Sequence, residues 1–406
     1  MNTEIAFILL FAIATAVAIG ARWLRIPYTV ALVLAGLALG SVQAFPAAHL
    51  TRQLLFSVFL PGLIFEAAFH MDLREFRANL VTLACLAVPG VIVSIALVTA
   101  ALTPLFAGLG LAPGFAWKDA LVFGALISAT DPVAVLALFR KQTAPARLTM
   151  LLEGESLLND GTAIVFFTLS LSLLGSIPPT PAQLSLQFIF IVGGGAAVGV
   201  AIGLAALALT RSIDDPLIEI AITMVAAYGS FAAAELLHFS GVIAALGAGM
   251  LCGHGARRGA MSPATRMAVQ AFWDYLVFAL NSIVFLLIGL EVRLPILLNY
   301  WFPILVAYLV VTAGRALMIY LGCALLRLTR ERFPWRWSAV LTWGGLRGAL
   351  PMVLVLSLPK DFAQRELLVS MTFGVALLSI LVQGLTMSGF LRRLGLARSR
   401  AHPSGA

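Results

Sequence analysis

The sequence predicts an all-α integral membrane protein of 13 transmembrane helices, built as inverted six-helix repeats with two broken helices that cross, at spans 5 and 12. Three observations lead there. Hydrophobic residues make up 61% of the 406 and charged residues only 11%, against roughly a quarter charged in soluble domains. Thirteen apolar runs approach or exceed the length of about 20 residues that crosses the hydrocarbon core. Basic residues also alternate between the loops that join those runs. This composition excludes a soluble enzyme and a disordered chain. The net charge of +8 is read as basic cytoplasmic loops, not as a nucleic-acid surface. Cys85, Cys252 and Cys323 lie far apart in apolar runs and are read as packing residues rather than a metal or disulfide framework.

The runs follow one another with short loops, their edges set to within a few residues. The first, roughly 4–20, follows a start without Lys or Arg, unlike a signal peptide, and is taken as a true span. The second (about 28–44) is uninterrupted, and the third (about 53–69) carries Pro61-Gly62 one turn before Glu66. The fourth covers about 79–103. The fifth (about 116–139) holds Thr130-Asp131-Pro132 at mid-span, where Pro132 removes an N–H and clashes with the preceding turn. The sixth (about 149–174) contains two carboxylates, an amide and a hydroxyl within six residues. The seventh (about 184–210) is the linker between repeats, and the eighth covers about 216–236. The ninth (about 240–254) is short and glycine-rich, and the tenth (about 267–290) holds Asn281 and Ser282. The eleventh (about 298–326) carries Arg315. In the twelfth (about 337–357), Gly344, Gly345, Gly348 and Pro351 interrupt the helix around Arg347. The thirteenth covers about 365–390.

Spans 5 and 12 differ by an odd number. Units of about 4–174 and 216–390 therefore form repeats of opposite topology in one transmembrane domain over residues 1–400, with a short cytoplasmic tail at 401–406. With the N-terminus outside, 19 basic residues fall in inner loops and 5 in outer loops; Arg315 and Arg347 complete the 26. That bias gives N-out and C-in, hence a bacterial inner membrane. No loop is long enough for a folded soluble domain and no GxxxxGK[ST] segment occurs, so no ATP-driven pump is expected. Nor does a filter loop or an HExxH segment point to a channel or an intramembrane protease.

A charge at mid-bilayer costs about 2.5–3.5 kcal/mol on insertion scales, so intramembrane ionisable residues are functional candidates. Glu155 and Asn159 are four apart on one helix face; Ser156 and Asp160 are four apart on the next. Hard oxygen ligands of this kind suit a monovalent cation or a proton, not a soft transition metal. One polar residue suffices to glue two spans together, and this run has four. A broken helix exposes a positive and a negative half-helix end, which Asp131 and a basic residue suit respectively. Asp131 either holds the fold of the site or touches the ion. Arg347 stays protonated, so its role is a fixed counter-charge, and Glu155 is its expected partner. Glu66 is placed to reach the ion site through water. His70 is read as an interfacial histidine, Glu219 and Glu235 as interhelical contacts, Asn281 and Ser282 as packing or function equally. The partner of Arg315 is not legible.

Five segments together carry a family resemblance: LPGLIFEAAFHMDL, ISATDPVAVLALF, LLEGESLLNDGTAIVFF, FWDYLVFALNSIVFLLIGL and TWGGLRGALPMVLVL. The chain resembles, from about residue 5 to 395, the sodium/proton exchanger branch of the monovalent cation:proton antiporters. The resemblance implies a homodimer of thirteen-span protomers exchanging Na⁺, Li⁺ or sometimes K⁺ for H⁺ across the bilayer, with no cofactor. It implies that Asp160 binds cation and proton in competition, with Na⁺ held at Asp160, Ser156 and Thr130. Glu66 would contribute through water, and Glu155 and Arg347 would form an ion pair braced by Asn159. Asn159-Asp160 in place of Asp-Asp implies electroneutral one-for-one exchange. Larger members carry a cytoplasmic regulatory tail that this sequence lacks.

Overall fold

A computed structural model describes residues 3–24, 26–41, 51–141, 144–175, 177–292, 294–326 and 334–396. The tail at 401–406 and several loop arginines counted above, Arg25 and Arg330 among them, lie outside these. The described chain is helical throughout, with no strand among the described residues.

The main helices are α1 (Thr3–Leu24), α2 (Tyr28–Ser41), α3 (Leu60–His70), α4 (Leu80–Gly108), α5 (Trp117–Ile127), α6 (Val133–Lys141), α7 (Ala146–Leu173), α8 (Pro181–Thr210), α9 (Pro216–Leu236), α10 (Gly241–Gly255), α11 (Pro263–Glu291), α12 (Trp301–Leu326), α13 (Trp335–Gly344), α14 (Ala349–Leu356) and α15 (Arg365–Arg393). A helix or a helix pair thus occupies each of the thirteen apolar runs. Seven helices (α4, α7, α8, α9, α11, α12 and α15) are long and apolar enough to cross a membrane, and α13–α14 together form an eighth, bent by 44°. α1, α2 and α3 contribute shorter apolar helices. The chain is a multi-pass membrane protein.

Local sequence explains where these helices start. Pro181, Pro216 and Pro263 stand in the first turn, where a missing N–H leaves nothing unpaired. Before them, Thr180, Asp215 and Ser262 accept from first-turn N–H groups: Gln183 N at 3.3 Å, Leu217 N at 2.9 Å and Thr265 N at 3.3 Å. Inside α4, Pro89 lacks the N–H that the helical ladder needs, and the chain opens there into a π turn at Leu86–Gly90.

Packing divides the helices into two bundles. In one, α10 is wrapped by α3, α8 and α9, and α2 lies along α11. Trp273 of α11 is fully buried there and donates to Thr223 Oγ1 of α9 at 3.1 Å. In the other, α7 packs on α5, α4 lies against α5 and α12, and α15 lies against α12 and α14. Thin contacts join the two bundles: α7 to α3 and α10, α11 to α14, and α2 to α6. The two breaks, 128–132 between α5 and α6 and 345–348 between α13 and α14, lie in the second bundle. Their backbones meet where Asp131 N donates to Leu346 O at 2.8 Å.

Candidate functional site

The crossing of the broken helices leaves helix ends inside the protein, and charged side chains meet them. The Asp131 carboxylate accepts from Val133 N at 3.0 Å, which caps the start of α6. Arg347 donates through Nη1 to the carbonyls of Ile127, Ser128 and Ala129, the last turn of α5 and its exit. Those carbonyls have no intrahelical donors. Arg347 N donates to Ser379 Oγ at 3.1 Å, on a π turn of α15 at Ser379–Gln383. Two glycines make the crossing possible. A Cβ on Gly348 would lie 2.5 Å from the Cβ of Asp131, and one on Gly345 would run into the Arg315 guanidinium.

This arrangement corrects the expected pairing of Glu155 with Arg347. Glu155 pairs with Arg315 of α12 instead: Nη1 is 3.0 Å from Oε1 and Nη2 is 3.2 Å from Oε2. Arg315 also donates to Leu341 O at 2.8 Å. Both partners are buried, at 1% and 3% exposure. The physical reason is competition for donors. Arg347 spends its guanidinium on the orphan carbonyls of a broken helix, and Arg315 faces the free carboxylate across α7. Asn159, expected to brace a Glu155–Arg347 pair, touches Glu155 in this different pairing, its Nδ2 donating to Glu155 Oε1 at 3.2 Å and to Thr130 Oγ1 at 3.3 Å.

A cavity of about 650 Å³ runs between the two bundles. Its walls bring together Thr130, Asp131 and Pro132 of the break, Ser156 and Asp160 of α7, and Glu66 of α3. Ser156 Oγ donates to Thr130 O in the break, and Asp160 follows Ser156 one turn along α7. Among the described residues no side chain ion-pairs or hydrogen-bonds with Asp160. Five carboxylates line the cavity, Glu66, Asp131, Glu153, Asp160 and Asp274, and none of the described lining residues is Lys or Arg. Such a one-signed cleft concentrates cations and repels anions.

Several polar residues outside that set resolve into packing. Ser282 Oγ and Tyr28 Oη are 2.5 Å apart and tie α2 to α11, whereas Asn281 lines the cavity. Glu235 accepts from Gly241 N at 3.2 Å at the start of α10. Glu219 is buried, with neither carboxylate oxygen hydrogen-bonded among the described residues. Sequence reasoning missed Ser379 of the thirteenth run, and placed Asp274 near a span end without a role, 204 positions from His70 in the chain. His70 Nδ1 is 3.2 Å from Glu66 Oε1, and Nε2 is 3.7 Å from Asp274 Oδ1.

Residues 7–393 match the family described as "Sodium/hydrogen exchanger, transmembrane". The chain belongs to the sodium/hydrogen exchanger family. Its relatives include the Na(+)/H(+) antiporter ApNhaP of Aphanothece halophytica, 39% identical over 96% of this chain and 74% of the relative. The Na(+)/H(+) antiporter NhaH of Halobacillus dabanensis is 36% identical over 97% of this chain and 98% of that protein. In fold, this exchanger-family chain resembles the sodium proton antiporter MjNhaP1 of Methanocaldococcus jannaschii, with a TM-score of 0.79 and 21% identity over 96% of this chain.

Proposed function

We propose that this protein is a secondary transporter that exchanges Na⁺ (or Li⁺) for H⁺ by alternating access, with Asp160 as the shared binding carboxylate. One observation carries the reading. Among the described residues, the cavity between the bundles is lined by carboxylates without Lys or Arg and includes Asp160, with which no described side chain ion-pairs or hydrogen-bonds. A cation entering there meets the Asp160 carboxylate, the Ser156 hydroxyl, the Thr130 carbonyl and, through water, Glu66. These are hard oxygen donors suited to Na⁺. The family relatives named as Na(+)/H(+) antiporters support the same ion pair of substrates.

In the proposed cycle, Na⁺ displaces the proton of Asp160 on one side. The bundle carrying the broken helices then moves against the other, Na⁺ leaves, and Asp160 takes a proton for the return. An empty, charged carboxylate resists crossing a low-dielectric path, which couples the two fluxes. Glu155 is compensated by Arg315 and Asp131 is engaged by the start of α6. Of the three acids at the crossing, Glu155, Asp131 and Asp160, that leaves Asp160 to carry charge, and with Asn159 in place of a second aspartate the exchange is read as electroneutral and one for one. In this reading the short and broken helices also span, thirteen in all in two inverted repeats; the bias of basic residues toward the inner loops supports an N-terminus outside and a C-terminus in the cytoplasm of a bacterial inner-membrane protein, and the family resemblance supports a homodimer. K⁺/H⁺ exchange at the same site is the second reading, because carboxylate, hydroxyl and carbonyl oxygens also suit K⁺.

The test uses proteoliposomes loaded with a pH-sensitive dye and pulsed with Na⁺, Li⁺ or K⁺, with and without a clamped membrane potential. Proton efflux driven by Na⁺ or Li⁺ and indifferent to the clamp is the expected result. Efflux driven by K⁺ alone selects the second reading, voltage-dependent efflux refutes one-for-one exchange, and no efflux with any cation refutes antiport.

A further inference from the structure

Glu66, His70 and Asp274 form the one group of three potential metal-ligating side chains that converges among the described residues. Glu66 and His70 are one turn apart on α3, and Asp274 comes from the facing turn of α11. One ligand atom from each lies within 4.8 Å of the others. Glu66 is nearly buried, at 9% side-chain exposure, His70 is at 26% and Asp274 at 59%. The group therefore runs from a buried residue of the cavity lining, Glu66, to an exposed one, Asp274.

We propose that these three residues bind a single divalent transition-metal ion of the Zn²⁺ type at the mouth of the cavity. A tetrahedral zinc with bonds of about 2.0–2.2 Å places its ligand atoms about 3.4 Å apart. His70 Nδ1 lies 3.2 Å from Glu66 Oε1, which matches that spacing; Asp274 faces Nε2 at 3.7 Å, and rotation of its exposed side chain toward the Nδ1 edge closes the third side. One imidazole nitrogen with two carboxylates suits zinc and its neighbours in the first transition row. All-oxygen sites are what Ca²⁺ and Mg²⁺ require, so those ions are rejected. Three protein ligands leave a fourth position for water. Two carboxylates with a divalent ion are neutral, so the bound ion cancels the negative charge that draws cations into the cavity. It also occupies the route past Glu66. Zinc is then an inhibitor acting from the side on which the cavity opens, without contact with Asp160.

The site goes beyond the transport reading, and its test has a readout that does not depend on transport. Purified full-length protein competes with a fluorescent chelator for Zn²⁺, beside the variants His70→Gln and Asp274→Asn. In proteoliposomes, Zn²⁺ is added to either side and removed again with a chelator, each variant being referred to its own zinc-free rate. The expected result is one zinc site per chain, weakened by about tenfold or more in each variant. Cation-driven flux should be inhibited from one side only, with the half-inhibiting concentration raised by the same factor, and Mg²⁺ should have no effect. Zinc binding that is absent, or that is equally tight in both variants, overturns the proposal whether or not the protein transports. So does inhibition that is equal from both sides and unchanged in the variants.

Discussion

Replacing Arg315 by methionine keeps the volume on α12 but removes the charge that faces Glu155. Two unit charges about 4 Å apart are worth about 4 kcal/mol at an effective dielectric of about 20. Removing one partner of a buried ion pair costs about 3–5 kcal/mol, since the other is left uncompensated. Glu155 is 1% exposed, so water does not relieve it, and Arg315→Met should fall in that range. Leu341 O also loses its donor at 2.8 Å, which places the expected loss in the upper half. Glu155→Gln in the same chain should recover much of the loss, because no charge is then stranded. Arg347→Met is the control: it strips the donors from Ile127 O, Ser128 O and Ala129 O but leaves the Glu155–Arg315 contact standing. Equilibrium unfolding in mild detergent, followed by tryptophan fluorescence, measures these three variants together with Glu155→Gln alone and Glu155→Gln with Arg347→Met, as two double-mutant cycles. The Glu155–Arg315 coupling should exceed the Glu155–Arg347 coupling. The reverse order would refute the pairing and restore Arg347 as the counter-charge.

Gly348→Ala forces a methyl against Asp131, with Cβ atoms 2.5 Å apart; overpacking at about 1–3 kcal/mol should shift the crossing and lower cation-driven proton flux by about tenfold or more while the protein still folds. Tyr28→Phe removes the hydroxyl shared with Ser282 at 2.5 Å and should cost about 1 kcal/mol in the same unfolding assay with exchange retained, because Ser282 still donates to Phe278 O. Asp72 lies in the loop after α3 and caps the short helix Leu73–Ala78, accepting from Arg74 N at 2.7 Å and Glu75 N at 3.3 Å. Those N–H groups, Arg74's first, hold its carboxyl below the ordinary value of 3.8. The stabilisation is therefore full above that value and is lost as the pH falls through the folded value. Asp72→Ala should cost about 0.5 kcal/mol at neutral pH, the low end for an exposed cap, and nothing in acid, which unfolding curves at the two pH values will show.

Much of the fold is legible because lipid makes demands that sequence cannot hide. Apolar runs mark the helices, and Pro132 and the Gly344–Gly348 segment mark the breaks, since an interrupted backbone must show its interruption locally. The α7 constellation is legible for the same reason: Glu155, Ser156, Asn159 and Asp160 lie within two turns, where spacing fixes their common sector. Pairings between helices are not. Arg315 and Glu155 are 160 positions apart, and nothing in either segment names the other. The expectation that Arg347 would serve Glu155 counted charges but not the three carbonyls that a broken α5 leaves without donors. His70 reads as interfacial because its second carboxylate, Asp274, arrives from α11.

The central claim is that one carboxylate, Asp160, serves both ions in turn. It is tested by the Na⁺ dependence of proton flux in proteoliposomes across a series of pH values, with Asp160→Asn alongside. Competition at a single site predicts that, on the acidic limb, the half-saturating Na⁺ concentration rises about tenfold for each unit fall in pH, as a tenfold change in proton occupancy requires. The maximal rate should hold steady, and Asp160→Asn should carry no flux. A half-saturating concentration that stays fixed while the maximal rate falls, or flux that survives in Asp160→Asn, would contradict it.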